Sequence, residues 1–145
     1  MTLDIGELRS NALAGSVVDQ AVLGIALLEG ITCRQDYAEA FHWLSRASTA
    51  GAPRAMVNLG VMYEHGLGVS SDPARARQLY QEGADRGEFF GCIYSARLLA
   101  SGVGGPTDAP AAVRRYREAL SMHVAECEET REAAAYITAH TTKTS

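Results

Sequence analysis

The sequence lacks the features that mark several large classes of protein. Its 13 Lys and Arg residues are outnumbered by 17 Asp and Glu residues, and the net charge is −4. A nucleic-acid-binding surface needs a basic stripe, so no nucleic-acid partner is expected. No apolar run approaches the roughly 18 residues of a membrane span, so no membrane partner is expected either. Aromatic residues make up only 7% of the chain, which favours close-packed helices over a β-rich core.

Cysteine is also scarce, and its spacing forms no metal motif. Cys33, Cys92 and Cys127 include no C-x-x-C pair and no His/Cys cluster, so neither a metal nor another cofactor is expected. The first ten residues lack the basic and apolar regions of an export signal. The cysteines are therefore interpreted as reduced thiols, and a cytoplasmic location is expected.

The chain does contain an internal repeat with an interval of 36 residues. The segment that begins "LGIALLEG" aligns without a gap on the segment "LGVMYEHG", and a third copy follows after the same interval. Chance similarity would need gaps and would scatter the small residues. The matching columns include Gly30, Gly66 and Gly102; Asp36, Asp72 and Asp108; and Ala40, Ala76 and Ala112.

Each copy is predicted to form two helices joined by a loop. In the second copy, helix A is expected over about 54–65 and helix B over about 74–85. Gly66 suits the left-handed position after helix A, and Asp72 precedes Pro73 as a helix N-cap precedes a first-turn proline. In the first copy, Asp36 and Glu39 have the spacing of a capping box.

A helical hairpin cannot bury its apolar side alone, whereas stacked hairpins can. We therefore predict a single all-α domain, an α-solenoid of stacked antiparallel helix pairs. The predicted parts are an N-terminal half-repeat helix at 1–15, repeats at 16–51, 52–87 and 88–123, and a capping helix with a frayed tail at 124–145.

The glycines of "GLGVSSD" also raise the possibility of a phosphate-binding loop. Such a loop needs a lysine followed by Ser or Thr, and this segment has no lysine. Because Gly66 and Gly68 occupy the loop of the repeat, they are interpreted as turn residues.

The columns of the second copy resemble the Sel1-like repeat, a relative of the tetratricopeptide repeat. The residues that carry the resemblance are Leu59, Gly60, Tyr63, Gly66, Leu67, Gly68, Val69, Asp72, Ala76, Tyr80, Ala84 and Gly87. The resemblance covers about 16–123 and implies a right-handed superhelix. Some secreted members carry a cysteine pair in each repeat, and no such pair recurs in this chain.

In the related tetratricopeptide architecture, A helices line a concave groove that holds a partner protein or peptide. By this resemblance, the partner-binding residues are Ile25, Leu28, Arg54, Val57, Asn58, Val61, Glu64, Phe90, Ile93, Tyr94 and Arg97, with Val18 and Ala21 beside them. Arg54, Asn58 and Arg97 are expected to hold a carboxylate together. The alternative is that Val57, Val61 and Ile93 pack against a neighbouring repeat.

The leading hypothesis for function is a non-catalytic adaptor or scaffold that binds another protein. The four histidines are scattered, and neither an H-E-x-x-H nor a G-x-S-x-G motif occurs. Two alternatives stay open, namely an immunity protein that neutralises a bacterial toxin and a hydrolase of the β-lactamase-like kind suggested for some Sel1-like proteins. The chain is expected to be a monomer or a weak homodimer.

Overall fold

The computed structural model describes residues 4–122 and 124–141, which form eight α-helices and no strand. The helices are α1 (Ile5–Leu13), α2 (Val17–Glu29), α3 (Tyr37–Thr49), α4 (Pro53–His65), α5 (Pro73–Asp85), α6 (Phe89–Ser101), α7 (Ala109–Ser121) and α8 (Glu128–Thr141). The prediction of an all-α helical repeat fold is confirmed. Most of the predicted frayed tail, 142–145, lies outside the described residues.

The chain divides into two compact units, Met1–Asp72 and Pro73–Ser145. Unit 1 contains α1 to α4 and unit 2 contains α5 to α8. The division falls between the two helices of the second predicted repeat, so the compact units do not follow the repeat boundaries. The single-domain organisation therefore stays a prediction.

The helices follow the interval of the sequence. The A helices α2, α4 and α6 begin at Val17, Pro53 and Phe89, and each has 13 residues. The B helices α3, α5 and α7 also have 13 residues each. α1 precedes the first A helix and packs on it, and α8 follows the last B helix and packs on it.

Glycine ends each A helix for a conformational reason. Gly30, Gly66 and Gly102 have φ values of 71°, 67° and 76°, a left-handed region that costs other residues free energy. At the start of α3, the Asp36 carboxylate accepts a hydrogen bond from the backbone N–H of Glu39 at 3.0 Å. The Glu39 carboxylate binds Arg9 and Trp43 instead, so the predicted capping box is only half formed.

A second loop glycine allows the loop to touch the preceding B helix. A β-carbon on Gly68 would lie 2.7 Å from Cβ of Tyr37, the first residue of α3. In unit 2, a β-carbon on Gly104 would lie 2.3 Å from the carbonyl oxygen of Pro73. In the first copy this position is held by Thr32, which has a φ of 57°. A β-branched residue in this conformation is strained.

We predict that Gly104→Ala destabilises the protein more than Gly87→Ala. Both glycines have positive φ, but a β-carbon on Gly87 would meet no atom within 4 Å. Gly87→Ala should therefore cost only the backbone penalty of about 1–2 kcal/mol, whereas Gly104→Ala adds a clash with backbone. Urea unfolding followed by circular dichroism measures both, and equal losses would contradict the close approach.

We also predict that Thr32→Gly stabilises the protein by about 0.5–1 kcal/mol. Relief of left-handed strain, about 1–2 kcal/mol, exceeds the entropy that glycine adds to the unfolded chain. Ser70→Gly is the matched control, because Ser70 is an exposed loop residue without a positive φ. The control should be neutral or destabilising in the same unfolding assay, and a destabilising Thr32→Gly would refute the strain.

Candidate functional site

One side of each A helix consists of exposed and half-buried residues. The exposed and half-buried positions recur at i, i+4 and i+7, which is the spacing of a single helix face. We call these positions the A-face of each unit. In unit 1 they are Val18, Val22 and Ile25 on α2 and Arg54, Asn58 and Val61 on α4; in unit 2 they are Phe90, Tyr94 and Arg97 on α6.

Four of the residues expected on this face are instead buried. Leu28, Val57 and Ile93 are 7%, 4% and 0% exposed, and Ala21 is 9% exposed. Each lies one residue before or after an outward-facing position in its helix, and one residue rotates a side chain by about 100° around the axis. These four side chains therefore pack in the interior, as the alternative interpretation held for Val57 and Ile93.

Val22 is the residue that the sequence reasoning missed. It is half-buried on α2 and shares the column of Asn58 and Tyr94. Alignment of the three A helices on that column would have found it. Glu64 is half-buried near the end of α4, as expected of a residue at the margin of the surface. Partner binding by the exposed residues stays a prediction.

The A-face of unit 1 is mainly aliphatic. Val18 is 72% exposed, and Val22, Ile25 and Val61 are half-buried. Its polar part lies at the start of α4, where Arg54 is exposed and the Asn58 amide donates to the Arg54 carbonyl oxygen at 2.8 Å. An exposed aliphatic surface with a few polar groups is typical of protein-recognition sites.

The A-face of unit 2 is mainly aromatic. The rings of Phe90 and Tyr94 are 5.7 Å apart, and Tyr94 lies 5.2 Å from Tyr80 of α5. The guanidinium of Arg97 lies 5.5 Å from the Tyr94 ring centroid, within the range of a cation–π interaction. Phe90, which lies near the start of α6, is 40% exposed. Tyrosine and arginine are the residue types that dominate binding energy at protein interfaces.

Arg97 already binds a carboxylate from its own chain. Its Nε donates to Oε1 of Glu132 at 3.0 Å and its Nη2 to Oε2 at 2.6 Å. The Tyr116 hydroxyl donates to Glu132 Oε1 at 2.7 Å. The expectation that Arg97 holds a partner carboxylate is therefore corrected, because Glu132 of α8 occupies that role. Sequence reasoning missed Glu132, since α8 does not keep the interval of the repeat.

These contacts change the pKa values of the groups involved. The hydrogen bond from Arg97 lowers the pKa of Glu132, because it favours the charged carboxylate. Burial, with the hydrogen bond to Glu132, raises the pKa of Tyr116 well above its ordinary value. The network thus holds an ionised Glu132 against a charged Arg97 and a neutral tyrosine at neutral pH.

Cys92 is the one buried cysteine among the described residues. Burial, together with the charge of Glu118, raises the pKa of Cys92 to about 12, so this thiol is protonated and a poor nucleophile. Cys33, Cys92 and Cys127 are free thiols. Within residues 4–122 and 124–141, no three His, Cys, Asp or Glu residues are grouped as metal ligands. None of the helices in these ranges is long and apolar enough to cross a membrane.

Comparison with known proteins identifies the repeat. The Sel1 repeat model matches residues 19–51 and 53–88. A crystal structure of a Sel1 repeat protein from Oxalobacter formigenes superposes with a TM-score of 0.78 and 26% identity, over 92% of this chain and 61% of that one. The chain is a Sel1-like repeat protein.

Other relatives agree with this assignment. The Sel1-like repeat protein shares 26% identity and a TM-score of 0.78 with c5321, a protective antigen of uropathogenic Escherichia coli, over 85% of this chain and 26% of that one. It is 42% identical over 50 residues to the chitin synthase regulator SKT5 of Saccharomyces cerevisiae, and 35% identical over 74 residues to the mouse protein sel-1 homolog 2. These matches cover 34% and 50% of this chain but only 7% and 11% of the two relatives.

We predict that Glu132→Gln lowers the free energy of unfolding by about 1 kcal/mol at pH 7, because it weakens the hydrogen bonds to Arg97. The folded-state pKa of Glu132 is lowered, so its contribution is present above the unfolded pKa, about 4.3. The contribution is lost as pH falls through the folded pKa. The difference from the parent chain should therefore shrink below about pH 4.

Urea unfolding from pH 3 to pH 8 provides the measurement. Glu126→Gln is the control, since Glu126 is exposed and lies outside the helices, and it should have little effect at any of these pH values. A Glu132→Gln effect that does not change between pH 3 and pH 8 would contradict an ionic contribution.

Proposed function

We propose that this Sel1-like repeat protein is a non-catalytic adaptor that binds another protein through the A-face. The observation that carries the proposal is the exposure of large apolar side chains at one recurring position of the A helices. Val18 of α2 is 72% exposed and Phe90 of α6 is 40% exposed, and the same position of α4 holds the exposed Arg54. Burial of such side chains against a partner would be favourable, by about 25 cal/mol per Å² of apolar surface.

The composition of the A-face also supports recognition of a protein. Unit 1 offers branched aliphatic side chains beside Arg54, and unit 2 offers Phe90 and Tyr94 beside Arg97. Aromatic anchors and a few oriented polar groups are features of binding hot spots. The yeast relative is named a regulator of chitin synthase, and such a role fits a chain that acts through binding. A cytoplasmic location remains part of the proposal.

Affinity purification with quantitative mass spectrometry, from a lysate of the organism that carries the gene, tests the proposal. We expect Arg54→Glu and Phe90→Ala each to reduce recovery of the specific partner at least about tenfold, as loss of a hot-spot contact does. Arg114→Glu repeats the charge change on the exposed side of α7, and Leu120→Ala removes an apolar side chain that is 36% exposed there. Both controls should retain the partner.

Circular dichroism and thermal unfolding must first show that all four variants fold like the parent chain. If the α7 variants lose the partner and the A-face variants keep it, the binding surface lies on the B helices and the proposal is wrong. If purified chain hydrolyses a chromogenic β-lactam at an enzyme-like rate that one substitution abolishes, the adaptor proposal gives way to an enzyme.

A further inference from the structure

A cavity of about 590 Å³ opens in unit 1 between α1 and the loop that joins α2 to α3. We call it the loop cavity. Ile5 of α1 and Tyr37 of α3 contribute apolar and aromatic surface to its wall, and the buried side chain of Leu27 of α2 lies behind them. Its volume lies within the range of small-molecule sites in proteins, about 300–1,000 Å³. The loop cavity lies outside the A-face, and the adaptor proposal does not involve it.

The cavity occurs at a place where the first copy differs from the other two. In the later copies, Gly68 and Gly104 lie against Tyr37 and Pro73, the first residues of the preceding B helices. In the first copy this loop position is held by Thr32. The cavity lies beside that loop at the start of α1, which begins at Ile5.

The loop beside the cavity is hydrogen-bonded to α2 at both of its ends. The backbone N–H groups of Ile31 and Asp36 donate to carbonyl oxygens of α2, each at 2.9 Å. The Gln35 amide donates to the Leu28 carbonyl oxygen at 2.8 Å. These bonds maintain a left-handed Thr32, a conformation that costs about 1–3 kcal/mol and that tends to occur at functional sites. A loop that is already ordered loses little conformational entropy when it binds a ligand.

The charged groups in the cavity wall indicate which chemical group a ligand would carry. Arg9 and Glu39 form a bidentate pair with distances of 3.0 and 2.9 Å, and the Asp36 carboxylate caps α3. Arg34 also lines the cavity and is exposed, and it forms no ion pair within the described part of the chain. The group that the cavity leaves for a ligand is thus a guanidinium, whose fork of donors matches a carboxylate.

We propose that the loop cavity binds a small organic carboxylate with an apolar or aromatic body. The body would lie against Ile5 and Tyr37, and the carboxylate would accept hydrogen bonds from Arg34. The same chemistry is offered by a free organic acid and by the C-terminal residue of a peptide.

Titration of the ¹⁵N-labelled full chain by NMR tests the site, with sodium 3-phenylpropionate as the probe at constant ionic strength. We expect saturable shifts confined to amides of the loop at 30–36 and the start of α1. The uncharged analogue 3-phenylpropionamide should bind about three- to fivefold more weakly, because an exposed ion pair contributes only modestly. Arg34→Gln should weaken binding of 3-phenylpropionate by the same factor. Arg86→Gln, which changes an exposed arginine of unit 2, should leave that binding unchanged.

Two further probes separate the sources of the carboxylate. N-acetylphenylalanine presents the carboxylate of a peptide C-terminus. In N-acetylphenylalaninamide this carboxylate is replaced by an uncharged amide. Tighter binding of N-acetylphenylalanine than of phenylpropionate supports a peptide C-terminus as the ligand, and the reverse order supports a free organic acid. Absence of saturable shifts with every probe would overturn the proposal. So would a parent chain that binds each acid no more tightly than its amide, or an Arg34→Gln variant that binds the acids as tightly as the parent chain does.

Discussion

The fold of each unit depends on how closely the loop after an A helix can approach the preceding B helix. In each unit one loop glycine lies so near the first residue of a B helix that a β-carbon would clash, at 2.7 Å for Gly68 and 2.3 Å for Gly104. Such an approach fixes the distance between α3 and the loop after α4 in unit 1, and between α5 and the loop after α6 in unit 2, because protein interiors tolerate few voids and little overlap.

Packing of the repeat also determines which residues are free to vary. Interior columns are restricted to similar side chains, as Ala40, Ala76 and Ala112 show with 0% exposure each. The exposed A-face positions have no such restriction, since Val18, Arg54 and Phe90 occupy the same position of α2, α4 and α6. On the adaptor proposal, specificity for a partner can be changed at these exposed positions with little effect on the core, as is general for function on repeat scaffolds.

The sequence predicted well whatever is governed by local chemistry. Gly66 ends α4 in the left-handed conformation, Pro73 begins α5, and Asp108 accepts from the backbone N–H of Ala111, because caps and turns depend on a few neighbouring residues. The prediction for the A-face was less accurate, since Val57 and Ile93 differ from their outward-facing neighbours by one residue of rotation.

Contacts between distant segments could not be predicted from the sequence. The bond between Arg97 and Glu132 joins residues 35 apart, and α8 begins at Glu128 rather than at position 125, where the interval would start a fourth A helix. The strained Thr32 was hidden as well, because its conformation follows from hydrogen bonds at both ends of the loop rather than from its own preference.

The distribution of charge limits what the two surfaces of unit 1 can bind. Unit 1 contains eight Asp and Glu residues against four arginines, whereas unit 2 contains nine residues of each sign. The resulting field around unit 1 opposes the approach of anions, and repulsion grows with the charge of the ligand. A carboxylate at Arg34 must therefore gain most of its binding energy from apolar contacts. On the adaptor proposal, the exposed charged group of the A-face in unit 1 is Arg54, which calls for an acidic group on the partner, and the same field weakens that attraction.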